Sequence, residues 1–228
     1  MQSKAKLLIN SIKGSEVIVP VDGLAIVDFN TNQVYSFYGL KNNKESLLSP
    51  IDLRSIIKGN GGFSCIKSDK FYSCIGLAAY CDGTGLIAHL NPTQSVIKNE
   101  EGGVIGMVIP DSEQRIILTI HGELITLKNH DFNTDFLTGY LKLMDESGFE
   151  PDKTNIIVCG GDELVDNSVR LFNNLTKLFE KEGYQINLSK WSFNKNYQNL
   201  ILLSTGLVIV ETHRLNQPKI RELYFNDS

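Results

Sequence analysis

The sequence predicts an α+β fold, an α/β sandwich of mixed and antiparallel β-sheets with two main helices. Three observations lead there. Short β-branched runs separated by turn residues fill the N-terminal half. Two amphipathic segments follow, with a single apolar strand between them instead of a regular alternation. A pair of apolar runs around "STG" then closes the chain. Strands grouped in this way, with few helices among them, favour an α+β sandwich over a doubly wound parallel sheet.

From the N-terminus, "EVIVPVDG" and "GLAIVDFN" read as short strands, and "NTNQ" before "VYSFYG" reads as a hairpin turn because Asn tolerates left-handed backbone angles. A polar stretch predicts a short helix at Ile51–Ile57 that ends at Gly59, and "GNGG" punctuates the chain. Residues 1–60 are thus read as a β-rich N-terminal extension packed on the core, or continuous with it, and 61–228 as the main domain. Strands resume in "FSCIKSD", "FYSCIGLAAYCD" and "GLIAHLNP". "NPTQSVIKNEEGG" reads as a loop, and "VIGMVIP" and "RIILTIHGELITL" as strands with a break at "HGE". A helix is predicted from Asn133 to Gly148, with Phe136, Leu137, Tyr140, Leu141 and Met144 on one face. "TNIIVCGGDE" is a buried strand that runs into a glycine pair. "NSVRLFNNLTKLFEKEG" is a second helix, stopped by Gly183. "YQINLSKWSF" is a strand, and "QNLILLSTGLVIVETH" a closing hairpin.

Composition narrows the function classes. The chain has 228 residues with a formal net charge of −4. That balance argues against a general nucleic-acid binder, which needs surplus Lys and Arg to neutralise phosphates. No apolar run approaches the roughly 20 residues needed to cross a membrane, and "MQSKAKLLINSIKGSE" lacks a signal peptide's long apolar core. The expectation is a cytoplasmic protein, or one secreted into a host cell without a cleaved signal. Cys65, Cys74, Cys81 and Cys159 then read as reduced thiols, and their spacing offers no zinc pattern.

The chemistry concentrates in "FYSCIGLAAYCDGTGLIAHLNP". A cysteine hydrolase needs a thiol, a base that takes and returns a proton, oxyanion donors and a group that orients the base. The small residues after Cys74 let a substrate backbone approach. The tight "CDGTG" turn would bring Cys74 and His89 together at the outer ends of paired strands, as direct cross-strand neighbours. The competing reading is structural: a thiol on an apolar strand is commonly small core filler.

This segment resembles the Cys-to-His motif of the chemoreceptor glutamine deamidases (CheD), which share a fold with the catalytic domain of the cytotoxic necrotizing factor toxins. The helix Asn133–Gly148, the "NIIVCGGDELVDNSVRLFNNLTKLFEKEG" unit and the final strand–"TG"–strand follow in the family's order, so the likeness spans about Phe63 to Glu211. The resemblance implies a Cys74 nucleophile, a His89 base, and Ser68 where the family has a Thr that helps to hold the histidine. Serine keeps the hydroxyl but lacks the methyl that restricts χ1, which predicts looser geometry. It further implies a protein substrate bearing a target Gln or Asn, a thioester intermediate, no cofactor, and a thiol pKa lowered towards neutrality by a nearby imidazolium. With an amine in place of water the same thioester would give transglutamination.

Two rival readings stand beside it: a binding module that has lost turnover, and another kind of cysteine hydrolase. Among the remaining residues, Cys65 and Cys81 are read as structural, with Cys81 exposed or half-buried in its turn, and Cys65 able to meet Cys74 only on oxidation. Cys159 is read as strand core. Asp162 and Glu163 are read as helix N-terminal acids, His121 as a second candidate base without a motif, His130 and His213 as surface residues, and Trp191 as a packing anchor.

Overall fold

Two sheets share their buried faces, and the N-terminal strands enter both of them. A computed structural model describes residues 14–41, 46–50, 53–92, 96–98, 104–110, 116–120, 123–127, 140–188, 197–214 and 219–224. The first strands are β1 (Ser15–Ile18), β2 (Gly23–Asp28), β3 (Gln33–Lys41) and β4 (Ser46–Pro50). A single helical turn, α1 (Leu53–Ile56), leads into β5 (Ile57–Lys58). Next come β6 (Phe63–Phe71), β7 (Ile75–Cys81) and β8 (Thr84–Leu90). A separate antiparallel sheet follows, formed by β9 (Val96–Lys98), β10 (Val104–Pro110), β11 (Ile116–Ile120) and β12 (Glu123–Leu127). The C-terminal part holds helix α2 (residues 140–146), β13 (Asn155–Gly160), α3 (Asp166–Lys181), β14 (Gln185–Leu188), β15 (Tyr197–Leu203), β16 (Val208–His213) and β17 (Ile220–Tyr224).

The first sheet has the order β17-β16-β15-β6-β1-β5, and the second β14-β13-β7-β8-β2-β3-β4. Each mixes one parallel pair, β1 with β6 and β13 with β14, into an otherwise antiparallel ladder. The fold is therefore an α+β arrangement of mixed sheets with few helices.

Strict alternation along the central strands creates two buried layers. Ala78, Ile87, Ala25, Val27 and Ile157 point from the second sheet towards Ile66, Phe71, Leu200 and Leu202 of the first. The intervening residues Leu77, Leu86, Leu24, Ile156 and Val158 face the other way and pack under Tyr140, Met144, Leu171, Leu175 and Phe179 of the helices. Because both of their faces are covered, β7 and β8 read as nearly continuous apolar runs. The second predicted helix is present, and Gly183 stops it at φ +90, with the Tyr184 N–H reaching back to the Phe179 carbonyl. The first is observed over residues 140–146, and its predicted start at Asn133 lies outside the described residues.

Several sequence expectations need correction. Val96–Lys98, read as loop, pairs with β10 as a strand, since Val96 and Ile97 supply a short β-branched run. Ser46–Pro50 extends the second sheet where a polar connection was expected. Of the predicted Ile51–Ile57 helix, Leu53–Ile56 forms one turn and Ile57 already belongs to β5, while residues 51 and 52 lie outside the described residues. Ile220–Tyr224 adds an edge strand that the sequence reading did not anticipate. No helix among the described residues is long and apolar enough to cross a membrane.

One position tests how tightly the layers fit. A methyl group at Gly76 would stand 2.7 Å from Cys159 Sγ and 2.9 Å from Phe71 Cζ, both fully buried. Gly76→Ala is expected to cost about 1–3 kcal/mol, the usual price of overpacking. Urea denaturation measures it, and a loss within experimental error would show that this layer has slack.

Candidate functional site

The β7–β8 hairpin carries the predicted pair. Its register sets Gly76 opposite His89 and Ile75 opposite Leu90. Cys74, one residue ahead of β7, is thus a diagonal neighbour of His89 and not the direct cross-strand partner that the sequence suggested. Both side chains belong to the layer between the sheets: Cys74 packs against that core, and His89 bonds to a residue of the opposite sheet. Diagonal neighbours have Cβ atoms roughly 7 Å apart, within reach for side chains that lean together.

Ser68 decides the state of the imidazole. It lies on β6 in the first sheet and is fully buried, as is His89. Its Oγ is 2.8 Å from the Val19 carbonyl and 2.9 Å from His89 Nδ1. A hydroxyl has one proton, and the Val19 carbonyl can only accept. Ser68 therefore donates to Val19 and accepts from Nδ1–H, which leaves the lone pair on Nε2. Nε2 is buried and has no hydrogen-bond partner among the described residues. The two partners hold the serine rotor, so the looseness expected from the missing methyl does not arise. Phe71 completes the clamp, its ring centroid 4.1 Å from that of the imidazole. It can lie there because Gly76 presents no side chain on that face.

The loop holding Cys74 is anchored from the other side by the glycine pair after β13. The Gly161 N–H donates to the Cys74 carbonyl at 2.8 Å. Gly160, at φ +77, brings its Cα so close that a Cβ would lie 2.3 Å from the same oxygen. The Gly160 N–H donates to Gln198 Oε1 at 2.6 Å, and Gln198 Nε2 donates to Thr212 Oγ1 at 3.0 Å. Buried Ser168, in the first turn of α3, accepts from the Asp162 N–H at 2.8 Å and donates to the Ser73 carbonyl at 2.7 Å. Sequence reasoning missed Gln198 and Ser168. Their signal was a polar residue inside an apolar strand and a serine at a helix start.

Burial sets the electrostatics. It pushes the Cys74 thiol up to about 12, with the negative charge of Asp22 adding to the effect. It pushes the His89 imidazole down to about 4. At neutral pH both groups are uncharged, contrary to the expected thiolate beside an imidazolium, because burial disfavours both charged forms and no cation among the described residues lowers the thiol's pKa.

The other candidates lie apart. Cys65 is buried on the far face of the first sheet, in the cluster of Ile201, Leu203 and Ile209, and so faces away from Cys74. Cys81 is buried beneath the helices rather than exposed in a turn. Cys159 is strand core, as expected. Asp162 caps its own turn through the Leu164 N–H and stands ahead of α3 rather than in its first turn. His213 is half-buried and stacks on Tyr197, with ring centroids 4.6 Å apart. His121, His130 and Trp191 lie outside the described residues. No cluster of metal-ligating side chains occurs among the described residues.

The histidine makes a prediction about acid stability. Unfolded, the imidazole takes a proton near its ordinary 6.5, and folded only near about 4. Between those values the unfolded chain binds more protons, so stability is lost as the pH is lowered, in total by about 3 kcal/mol. Denaturant midpoints measured from pH 7.5 down to pH 4 should fall less steeply in His89→Gln than in the wild type; parallel curves would place the acid response elsewhere. No protein-family model matches the sequence and no curated protein does.

Proposed function

We propose that the protein is a cysteine-dependent amidohydrolase that deamidates a glutamine or asparagine side chain of a protein substrate. One observation carries the reading: His89 is held in a single tautomer by Ser68, with its bare Nε2 in the same layer as Cys74. Nucleophilic acyl transfer needs a base with a free lone pair in reach of a thiol, and the layer that holds Cys74 supplies such a base. The sequence likeness to the chemoreceptor glutamine deamidases supplies the substrate class.

In the proposed reaction His89 Nε2 takes the thiol proton as Cys74 Sγ attacks the carboxamide carbon. The C–N bond breaks, and His89 returns the proton to the leaving nitrogen, which departs as ammonia. Water, deprotonated by His89, then attacks the thioester and releases the carboxylic acid and the thiol. Ser68 accepts from Nδ1–H throughout and stabilises the imidazolium. The Gly160 and Gly161 N–H groups are engaged by Gln198 and Cys74, so the oxyanion donors fall to the backbone of loop 72–74. The raised thiol pKa favours a second reading, a binding module that keeps the fold without turnover.

Iodoacetamide labelling followed by intact mass separates the two. With His89 as general base, the working form is neutral imidazole with neutral thiol, and that form persists from about 4, where His89 loses its proton, to about 12, where Cys74 loses its own. Wild-type Cys74 should therefore label at a nearly constant rate from about pH 5 to about pH 9. In His89→Ala the rate should rise about tenfold per pH unit, as for an isolated thiol. Ammonia release from a glutamine-rich protein should accompany the flat profile and vanish in Cys74→Ala. A wild-type profile that follows thiol ionisation, with no ammonia released, would leave the binding module as the answer.

A further inference from the structure

Ser68 is one polar tie across the layer between the sheets, and Gln198 is another. Gln198 lies on β15 of the first sheet, and its Oε1 accepts the Gly160 N–H of the second sheet at 2.6 Å. The residue is fully buried, and a carboxamide in such a place costs more to bury than an apolar side chain of the same size. Its Nε2 donates at 3.0 Å to Thr212 Oγ1, on the residue directly opposite it on β16. An amide nitrogen can only donate, so that bond turns the carboxamide oxygen towards Gly160.

Gly160 ends β13 at φ +77, and the next N–H, that of Gly161, reaches the Cys74 carbonyl at 2.8 Å. The fit around this turn is close. A Cβ at Gly160 would lie 2.3 Å from the Cys74 carbonyl oxygen and 2.9 Å from Phe71 Cβ. Phe71 is the residue opposite Gln198 on β6, and its ring covers the imidazole. Gln198 thus bonds to the turn that grips Cys74 and is the cross-strand neighbour of the residue that covers His89. We propose that Gln198 is a positioning residue of this site: it fixes the Gly160–Gly161 turn and, through the Gly161 N–H, places Cys74 relative to His89 Nε2. Ser68 orients the base, and Gln198 locates the nucleophile. The purpose of that placement rests on the deamidase reading; the hold on the loop does not.

Two readouts on the full chain test it. Gln198→Leu keeps similar bulk and removes the bonds to Gly160 and Thr212. Thr212→Val only releases the far end of the amide, and stands in if the first variant does not fold. Hydrogen exchange at the Gly161 N–H should quicken about tenfold in Gln198→Leu and about threefold in Thr212→Val, while the Leu77 and Leu86 amides on the central strands keep their wild-type rates. The iodoacetamide profile of Cys74 in Gln198→Leu should lose its flat form and rise with pH as in His89→Ala, although His89 is present. Combining the two substitutions should then add nothing. Unchanged exchange at Gly161 in a folded variant overturns the assignment, even if the chain deamidates proteins. So does exchange that quickens equally at Leu77 and Leu86, which marks a role in overall stability, and so does a flat profile that survives in Gln198→Leu. Loosening confined to Gly161, with a wild-type profile that already follows thiol ionisation, supports Gln198 as the residue that holds Cys74 in place and sinks the deamidase reading alone.

Discussion

The buried hydroxyl of Ser68 ties the two sheets together at one end of the molecule. It belongs to one sheet, bonds to a carbonyl just past β1 and receives a proton from a histidine of the other sheet. In a dry layer each of these groups would be costly to leave unsatisfied. The one arrangement that satisfies the Val19 carbonyl also selects the imidazole tautomer. Structure and chemistry share a single proton position, and the spacing of the sheets at this end follows from it.

The surrounding packing serves the same geometry. Gly76 leaves room for Phe71, and Phe71 covers the imidazole. On the far side, the Gly160–Gly161 turn grips the Cys74 carbonyl, while Gln198 ties that turn to the first sheet. Ser168 adds a bond to the neighbouring Ser73 carbonyl. The loop that holds Cys74 is therefore fixed by its backbone carbonyls rather than by the thiol. Burial explains the electrostatics: the half-buried thiol and the buried imidazole both rest uncharged.

Much of this was legible in the sequence, for reasons that can be named. Alternation and turn residues revealed the β7–β8 and β15–β16 hairpins, and Gly183 marked the end of α3. Cys74 and His89 could be picked out because their types and spacing suit one kind of chemistry, whereas Ser68 was singled out only by the resemblance to the chemoreceptor glutamine deamidases. Short strands at the sheet edges, such as Ser46–Pro50 and Ile220–Tyr224, were missed. Four or five polar-flanked residues carry too little periodicity to separate a strand from a loop.

By itself the sequence determined which residues have chemical capacity and which stretches are apolar enough to be covered on both faces, because side-chain identity and local period are properties of the chain. Only the tertiary structure decided the register that makes Gly76, not Cys74, the partner of His89. It also decided the hydrogen bond that orients the imidazole and the isolation of Cys65 on another face. Each of these joins residues far apart in the chain, and the distance between them is set by how two twisted sheets pack. No local pattern encodes that distance.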